Sequence, residues 1–251
     1  MRETSLILLL ALLSISCSGA PKEATDPAKS PDQGVEAQGT GTETRSVKPG
    51  INKRFKDPEM DVDKARKTFE GESREIFVQR ARIARTLPLA KGESVADIGS
   101  GTGLFLPFFT KGVGEAGKVY AVEIAPRFID HLKALASKKG WSQVQTVFCT
   151  DKSTKLSADS VDAAFICDTY HHFEYPRSTL ASLHRAMKPG GRLVIVDFER
   201  IPGKSRKWVL GHVRCNKETV IREVTAAGFT YVDEVEVPGV VENYVIRFRR
   251  P

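Results

Sequence analysis

The stretch VADIGSGTG, residues 95–103, decides the fold of this chain. Its first four residues are mostly apolar and predict a β-strand, and three glycines follow at a spacing of two. Glycine adopts backbone angles that a side chain forbids, and it lets the main chain approach a ligand closely. A helical pattern begins at Leu104 and offers unpaired N–H groups and the positive end of its dipole. The stretch therefore predicts a strand–turn–helix unit that holds a nucleotide or an anion.

The residues around the glycines narrow the choice of ligand. No Lys-Ser or Lys-Thr follows the last glycine, so a P-loop is excluded, and Leu104 stands where a dinucleotide fingerprint needs its third glycine. Asp97 would repel a pyrophosphate, but it suits a cationic group such as an amino-acid ammonium. Glu123 ends a second apolar strand about twenty residues later, where a carboxylate typically accepts hydrogen bonds from ribose hydroxyls. The pattern favours a nucleoside that carries an amino acid.

Five segments, in order, resemble the motifs of the class I S-adenosylmethionine-dependent methyltransferases. Residues 95–103 resemble motif I, and Glu123 matches the acid that ends the second strand in that family. Asp151 is similar to the acid after strand three, which usually meets the adenine amino group. Residues 165–173 resemble motif IV, and residues 183–191 resemble the helix and turn before strand five. The last two segments are most similar to the small-molecule branch that includes the ubiquinone/menaquinone C-methyltransferases.

The resemblance implies S-adenosyl-L-methionine as the cofactor and a set of residues that bind it. These candidates lie at or just after the carboxyl ends of predicted strands: Asp97, Gly99, Ser100, Gly101, Gly103, Glu123, Ile124, Asp151 and Asp168. In open α/β sheets, ligands bind outside the carboxyl ends of the strands. We therefore expect these residues to share one pocket.

Strands and helices alternate along the chain until its last two strands, which predicts a doubly wound α/β fold. Residues 161–167 are nearly all apolar, as expected for a strand that is covered on both faces. The resemblance implies a Rossmann-like seven-stranded sheet of order 3-2-1-4-5-7-6 with strand 7 antiparallel. Apolar residues recur at helical spacing within residues 57–87, and this segment is expected to form an N-terminal helical cap.

The candidate catalytic residues follow predicted strands four and five. Tyr170, His171 and His172 lie directly after strand four, where the acceptor approaches the methyl group in the family. A histidine is a suitable general base because its pKa is near neutrality, although paired histidines in a loop also serve as caps or packing groups. His212, with Arg214, lies in the region that helps to form the acceptor pocket in related enzymes, or else in a solvated loop. The spacing of the three histidines is not a familiar ligand set, and the sequence predicts no metal site.

Residues 1–20 predict a signal peptide or a membrane anchor. An apolar run of about ten residues, too short to span a bilayer, precedes Cys17. The small residues before Cys17 resemble a bacterial lipoprotein cleavage site, so Cys17 is a candidate for lipidation and the chain for export or membrane attachment. Cleavage after Ala20, an uncleaved anchor, and a mis-called start codon that leaves the protein cytoplasmic are the alternatives.

Composition sets the remaining expectations. Residues 21–55 are rich in small, polar and charged residues and predict a disordered linker, and residues 56–251 predict the methyltransferase domain. The formal net charge of +7 is spread along the chain, and no C-x-x-C pair indicates a zinc site. Residues 168–171 replace the Asn-Pro-Pro-Tyr type of motif used on exocyclic amines, and no recognition domain is appended. The expected acceptor is therefore a small or lipid-like molecule and not a nucleic acid, with a non-catalytic, membrane-tethered accessory protein as the alternative.

Overall fold

The computed structural model describes residues 43–251, and a seven-stranded sheet forms its centre. The strands are β1 Ser94–Ile98, β2 Lys118–Glu123, β3 Val144–Phe148, β4 Val161–Cys167, β5 Met187–Phe198, β6 Thr230–Glu234 and β7 Asn243–Arg249. Their order is β3-β2-β1-β4-β5-β7-β6, and β7 runs antiparallel to both of its neighbours. The predicted doubly wound, Rossmann-like sheet is confirmed in strand order and direction.

Helices connect the strands. They are α1 Val62–Phe69, α2 Glu75–Ala84, α3 Leu106–Val113, α4 Pro126–Lys139, α5 Pro176–Ala186, α6 Lys207–His212 and α7 Lys217–Ala226. A short 3₁₀ turn, Tyr170–His172, lies between β4 and α5. Among the described residues, no helix is both long enough and apolar enough to cross a membrane.

The core lies on both faces of the sheet because successive side chains of a strand point to opposite faces. In β4, Ala164 and Ile166 belong to one buried cluster, whereas Ala163 and Phe165 belong to the other. The ring of Phe165 lies 4.7 Å, centroid to centroid, from the ring of Phe105, which directly precedes α3. The apolar character of strand four is thus explained, since the strand is covered on both faces as predicted.

The N-terminal helical segment differs from the prediction. The single pattern over residues 57–87 forms two helices, because the chain leaves the helical path between Glu70 and Arg74. Asp61 caps α1 by accepting a hydrogen bond from the N–H of Lys64 at 2.9 Å. Periodicity found the apolar faces of both helices but not the break between them.

The apolar run before Asp197 predicts strand five over residues 192–197, but β5 is longer. It begins at Met187, which pairs with Val161 of β4, and the register then shifts before Ala163 pairs with Arg192. The Lys-Pro-Gly-Gly segment, expected to be a turn, is therefore an irregularity inside a longer strand. Backbone pairing with β4 decides where β5 begins, and such pairing leaves no local pattern in the sequence.

Residues 43–55 lie against the domain, whereas the sequence predicted a disordered linker up to residue 55. The Glu43 carboxylate accepts a hydrogen bond from the N–H of Ser178 at 3.1 Å, and Ser46 Oγ donates to Glu174 at 2.9 Å. Asn52 is buried, and its side chain donates to the carbonyl of His172 at 2.9 Å. The segment therefore reaches the turn that carries the candidate histidines. The predicted signal segment and Cys17 lie outside the described residues.

Candidate functional site

The carboxyl ends of the central strands bring the predicted cofactor residues to one edge of the sheet. Ile98 of β1 pairs with Val122 of β2 and with Ile166 of β4, so the three strands end at nearly the same level. The residues that follow these ends include Gly99 and Asp168. Parallel strands with matched ends place such residues on the same side of the molecule. We call residues 97–103 together with Glu123 the glycine corner.

The turn of the glycine corner needs its glycines for two different reasons. Gly99 has φ +73°, and a Cβ atom there would lie 2.3 Å from Thr169 Cγ2. Gly101 has φ +53°, and a Cβ atom there would meet no atom closer than the carbonyl oxygen of Gly99 at 3.9 Å. The first glycine therefore lets the turn after β4 pack against the corner, and the second borders open space.

The Glu123 carboxylate points into the glycine corner and organises its backbone. One oxygen, Oε2, accepts a hydrogen bond from the N–H of Gly101 at 2.8 Å. The other oxygen, Oε1, accepts from the N–H groups of Ile124 at 2.7 Å and Ala125 at 2.9 Å. Burial raises the pKa of Glu123, and these three donors oppose the rise. Glu123 is thus held beside Gly101 at the carboxyl end of β2, the position that the sequence predicted.

Asp97 lies beneath the turn and is almost fully buried. Ser100 Oγ donates a hydrogen bond to it at 2.8 Å. Burial raises the pKa of Asp97 to about 7, and the negative charge of Glu123 contributes to the rise. No ion pair among residues 43–251 includes Asp97 or Glu123. Two buried acids without a cationic partner in the described chain fit a cationic ligand, because such a ligand stabilises their ionised forms.

Asp168 has a partner from each end of the domain. It has φ +48°, and its carboxylate forms an ion pair with Arg74 just before α2. The side-chain amide of Asn243 donates to the same carboxylate at 2.6 Å. Burial raises the pKa of Asp168 to about 6, while Arg74 opposes the rise. The ion pair with Asp168 places Arg74 at this edge of the sheet.

Asp151, which the resemblance assigns to the adenine amino group, is paired with Lys56. The lysine Nζ lies 2.5 Å and 2.6 Å from the two carboxylate oxygens. The neighbouring Phe55 packs against the rings of Phe69 and Phe128. The segment before α1 therefore extends over this part of the sheet edge, and Lys56 pairs with one of the predicted cofactor-binding acids.

The three candidate histidines come together although 40 residues separate the adjacent pair from the third. Ring centroids lie 4.3 Å apart for His171 and His172, and 5.2 Å apart from each of these to His212. We call these three residues the histidine cluster. Burial and, to a smaller extent, the neighbouring His171 lower the pKa of His172 to about 2 and that of His212 to about 4. His172 and His212 are therefore neutral imidazoles near pH 7.

Asp197 belongs to the candidate site, and sequence reasoning missed it. It is buried in β5, and its carboxylate oxygen Oδ1 lies 2.7 Å from His171 Nδ1. The N–H of His171 donates to the other carboxylate oxygen at 2.9 Å, and the N–H of Phe198 donates to Oδ1 at 2.8 Å. A signal was present, because Asp197 follows an apolar run near a strand end, as Asp97 does.

Tyr170 occupies a different environment from the other catalytic candidates. Its side chain is fully buried, and its hydroxyl donates to Glu223 at 2.6 Å. Arg214 pairs with the same carboxylate and lies over the Tyr170 ring, 5.2 Å from its centroid. Tyr170 therefore anchors the 3₁₀ turn in the core, which differs from the catalytic role that the sequence predicted. Arg214 holds this anchor through its ion pair with Glu223.

Comparisons with known proteins agree with this arrangement. Residues 96–195 match a family model described as a methyltransferase domain. The chain is 30% identical over 129 residues to the ubiquinone/menaquinone biosynthesis C-methyltransferase UbiE of Methylococcus capsulatus, a match that covers 48% of this chain and 49% of that protein. It is 28% identical over 123 residues to the tRNA U34 carboxymethyltransferase of Desulfotalea psychrophila, covering 49% of this chain and 38% of the relative. The chain thus spans about half or less of the length of these curated relatives.

Two solved structures share the fold. A SAM dependent methyltransferase from Aquifex aeolicus superposes with a TM-score of 0.66 at 24% identity, over 77% of this chain and all of that one. The geranyl diphosphate C-methyltransferase of Streptomyces coelicolor, solved with S-adenosyl-L-homocysteine, gives 0.60 at 17% identity, over 84% of this chain and 94% of that one. Residues 96–195 therefore resemble a methyltransferase domain in sequence, and the described chain shares the Rossmann-like fold of these structures.

Proposed function

We propose that this chain transfers the methyl group of S-adenosylmethionine to a small-molecule or lipid-like acceptor. The observation that carries the proposal is the pair of buried acids at the glycine corner, Asp97 and Glu123, which lack a cationic partner among the described residues. A cation bound there is stabilised by both carboxylates. The similarity to a quinone C-methyltransferase supports a small acceptor.

S-adenosylmethionine supplies a methyl group already activated on a positively charged sulfur. The residues of the corner would hold it: Asp97 with Ser100 faces the cationic methionine portion, and Glu123 accepts from the ribose hydroxyls with the lone pairs that its backbone donors leave free. Asp151 would take the adenine amino group, which requires Lys56 to leave it. The protein contributes mainly position and the exclusion of water.

The acceptor would approach from the turn after β4. Thr169 joins this turn to the glycine corner, since its Oγ1 lies 3.5 Å from the carbonyl oxygen of Gly99. Two and three residues later, His171 and His172 place imidazole groups at the same edge of the sheet. An imidazole nitrogen there that no other group occupies can accept a proton from an acceptor that must lose one. The alternative, an accessory protein that binds the cofactor without turnover, gives these groups no chemical task.

Replacing Asp97 by asparagine tests the cofactor assignment. The change keeps the shape of the side chain and removes its charge, so we expect S-adenosylmethionine to bind about 10- to 100-fold more weakly, which corresponds to one to two pKa units of interaction. Calorimetric titration of the full chain measures this. Asp159→Asn is the matched control, because Asp159 pairs with Arg250 at an exposed position and should leave the affinity unchanged. Equal affinities in wild type and Asp97→Asn would exclude the assigned role.

The pH dependence of the same variant gives a second test. Because folding raises the pKa of Asp97 from 3.8 to about 7, the folded state holds this proton more tightly than the unfolded state. The free energy of unfolding should therefore fall as pH rises from about 4 to about 7, and Asp97→Asn should lose part of this fall. Affinity for the cationic cofactor should rise over the upper part of that range in wild type only. Urea titrations and calorimetry over this pH range measure both effects.

Turnover separates the enzyme from the accessory alternative. Labelled S-adenosylmethionine is incubated with the full chain and metabolite or lipid extracts, and transfer of the labelled methyl group is followed. Labelled product that depends on the protein supports the enzyme. Cofactor binding with no transfer to any extract would favour the accessory protein.

A further inference from the structure

We propose that the histidine cluster binds a divalent transition metal ion of the zinc class. One ligand atom from each of His171, His172 and His212 lies within 4.8 Å of the other two. Two nitrogens bonded to one zinc ion at about 2.1 Å lie about 3.4 Å apart in a tetrahedral site. The nitrogens are thus at most about 1.4 Å farther apart than a loaded site requires, a difference that side-chain rotations cover.

The first ligand, His171, is already oriented as a metal ligand. Its Nδ1 lies 2.7 Å from Asp197, which leaves Nε2 as the coordinating atom. Histidines that bind metals commonly donate their other ring N–H to a carboxylate, which fixes the tautomer and the orientation of the ring. Asp197 in turn accepts hydrogen bonds from the N–H groups of His171 and Phe198, so the carboxylate itself is held in place.

The second ligand, His172, has a buried ring nitrogen with nothing to bind. Its Nδ1 is inaccessible to solvent and has no hydrogen-bond partner in the described part of the chain. A polar atom that is buried without a hydrogen-bond partner is destabilising. The ring is also held in place, with Phe55 packed edge-on at 5.2 Å and the carbonyl of His172 bound by Asn52. A bond to a metal ion would satisfy this nitrogen.

The third ligand, His212, is the last residue of α6 and closes the cluster from the opposite side. Trp208, one turn earlier, stacks on its ring with centroids 4.6 Å apart. Two cations lie near this helix end. Arg200 donates to the carbonyl oxygens of Leu210 and Val213, and the ammonium group of Lys48 binds those of Gly211 and His212. That lysine therefore fixes the end of the helix, while the carboxylate of Asp197 supplies negative charge behind the ligands.

The donor set decides the class of metal. Three imidazoles, without thiolate, suit zinc, copper, iron or nickel and not magnesium or calcium, which prefer oxygen ligands. Three protein ligands leave a fourth position for water or for an oxygen atom of a bound molecule. The sequence predicted no metal site because an adjacent pair and a third histidine 40 residues later match no common spacing.

The test measures zinc binding directly and needs no catalytic assay. The full chain, purified without a polyhistidine tag, is stripped with a chelator and titrated with Zn²⁺ by calorimetry, and its metal content is determined after dialysis. Co²⁺ replaces Zn²⁺ in a parallel sample, because its visible absorption reports a tetrahedral site. The variants are His212→Ala at the helix end and Asp197→Asn behind His171. The control is His184→Gln, which changes a histidine that packs on Phe229 outside the cluster.

We expect one Zn²⁺ per chain in wild type and in His184→Gln, with a melting temperature that rises when Zn²⁺ is added. Asp197→Asn should bind about 10- to 100-fold more weakly, as is typical when the carboxylate behind a ligating histidine is lost. His212→Ala should lose at least as much and show no tetrahedral Co²⁺ spectrum. If Asp197→Asn does not fold, His212→Ala alone decides, since it changes a partly exposed side chain. Absence of stoichiometric Zn²⁺ in wild type, or retention of Zn²⁺ by His212→Ala, would overturn the proposal.

Discussion

The glycine corner and the histidine cluster lie at the same edge of the sheet but are built in opposite ways. The corner is local, because seven consecutive residues supply the turn and Glu123 joins them from the neighbouring strand. The cluster draws on the turn after β4, the end of α6 and Asp197 of β5. The corner holds buried acids that suit a cationic ligand, whereas the cluster holds neutral bases that suit an electron-pair acceptor. The difference shows how one sheet edge can offer two distinct chemical environments.

The two regions meet at Thr169. Its side chain fills the space that a Cβ atom at Gly99 would need, and it lies two residues before the first histidine of the cluster. A change at this contact should disturb both regions. A change at a residue that contacts only one of the two regions should affect that region alone.

The largest effect is expected for Gly99→Ala. The new Cβ atom would lie 2.3 Å from Thr169 Cγ2, and alanine would have to hold φ +73°. Strain and overpacking together should lower the free energy of unfolding by about 4 kcal/mol. Gly140→Ala is the control, because its φ of +65° imposes similar backbone strain with no atom within 4 Å of the new Cβ. It should cost about 1–2 kcal/mol. Urea unfolding measures the free energy of unfolding of both variants. Equal decreases would show that Thr169 moves aside without destabilising the fold.

A smaller effect is expected for Glu223→Ala, which removes the anchor of the 3₁₀ turn. Arg214, whose side chain is only 7% exposed, would lose its partner, and the hydroxyl of Tyr170 would lose its acceptor. We expect a loss of about 3 kcal/mol, typical of an uncompensated buried charge. Glu242→Ala breaks an exposed pair with Arg206 and should cost less than about 1 kcal/mol.

The same variant sharpens the distinction between the two regions. Glu223 has no described contact with the glycine corner, so the folded fraction of Glu223→Ala should bind S-adenosylmethionine with the wild-type affinity. Calorimetry well below the melting temperature checks this. A fall in affinity that accompanies the fall in stability would show that the corner and the turn are energetically one unit.

The smallest effect is expected for Lys56→Ala. The pair between Lys56 and Asp151 is partly exposed, so its loss should change stability by less than about 1 kcal/mol. Because Asp151 no longer has a competing cation, S-adenosylmethionine should bind unchanged or up to about 3-fold more tightly, within the small energy of such a pair. Lys53→Ala removes an exposed lysine three residues earlier and serves as the control. Weaker binding in Lys56→Ala alone would show that the lysine contacts the cofactor instead of competing with it.

Much of the fold could be predicted because its signals are local. Alternating apolar runs and glycine turns gave the strands, and the resemblance of five motifs implied the strand order, which the sheet confirms. The break between Glu70 and Arg74, the early start of β5 at Met187 and the helix α6 were not predicted. The start of β5 depends on pairing with Val161 of β4, and such a distant contact leaves no periodic pattern in the chain.

The sequence by itself determined the sheet, the glycine corner and the acids placed around it, because residues close in the chain and matched strand ends are enough to assemble them. Only the tertiary structure decided what the remaining polar residues do. It buried Tyr170 in the core, paired Asp168 with Arg74, and brought His212 to His171 and His172. These outcomes depend on how loops and helices pack above the strand ends, where a side chain's partners come from anywhere along the chain.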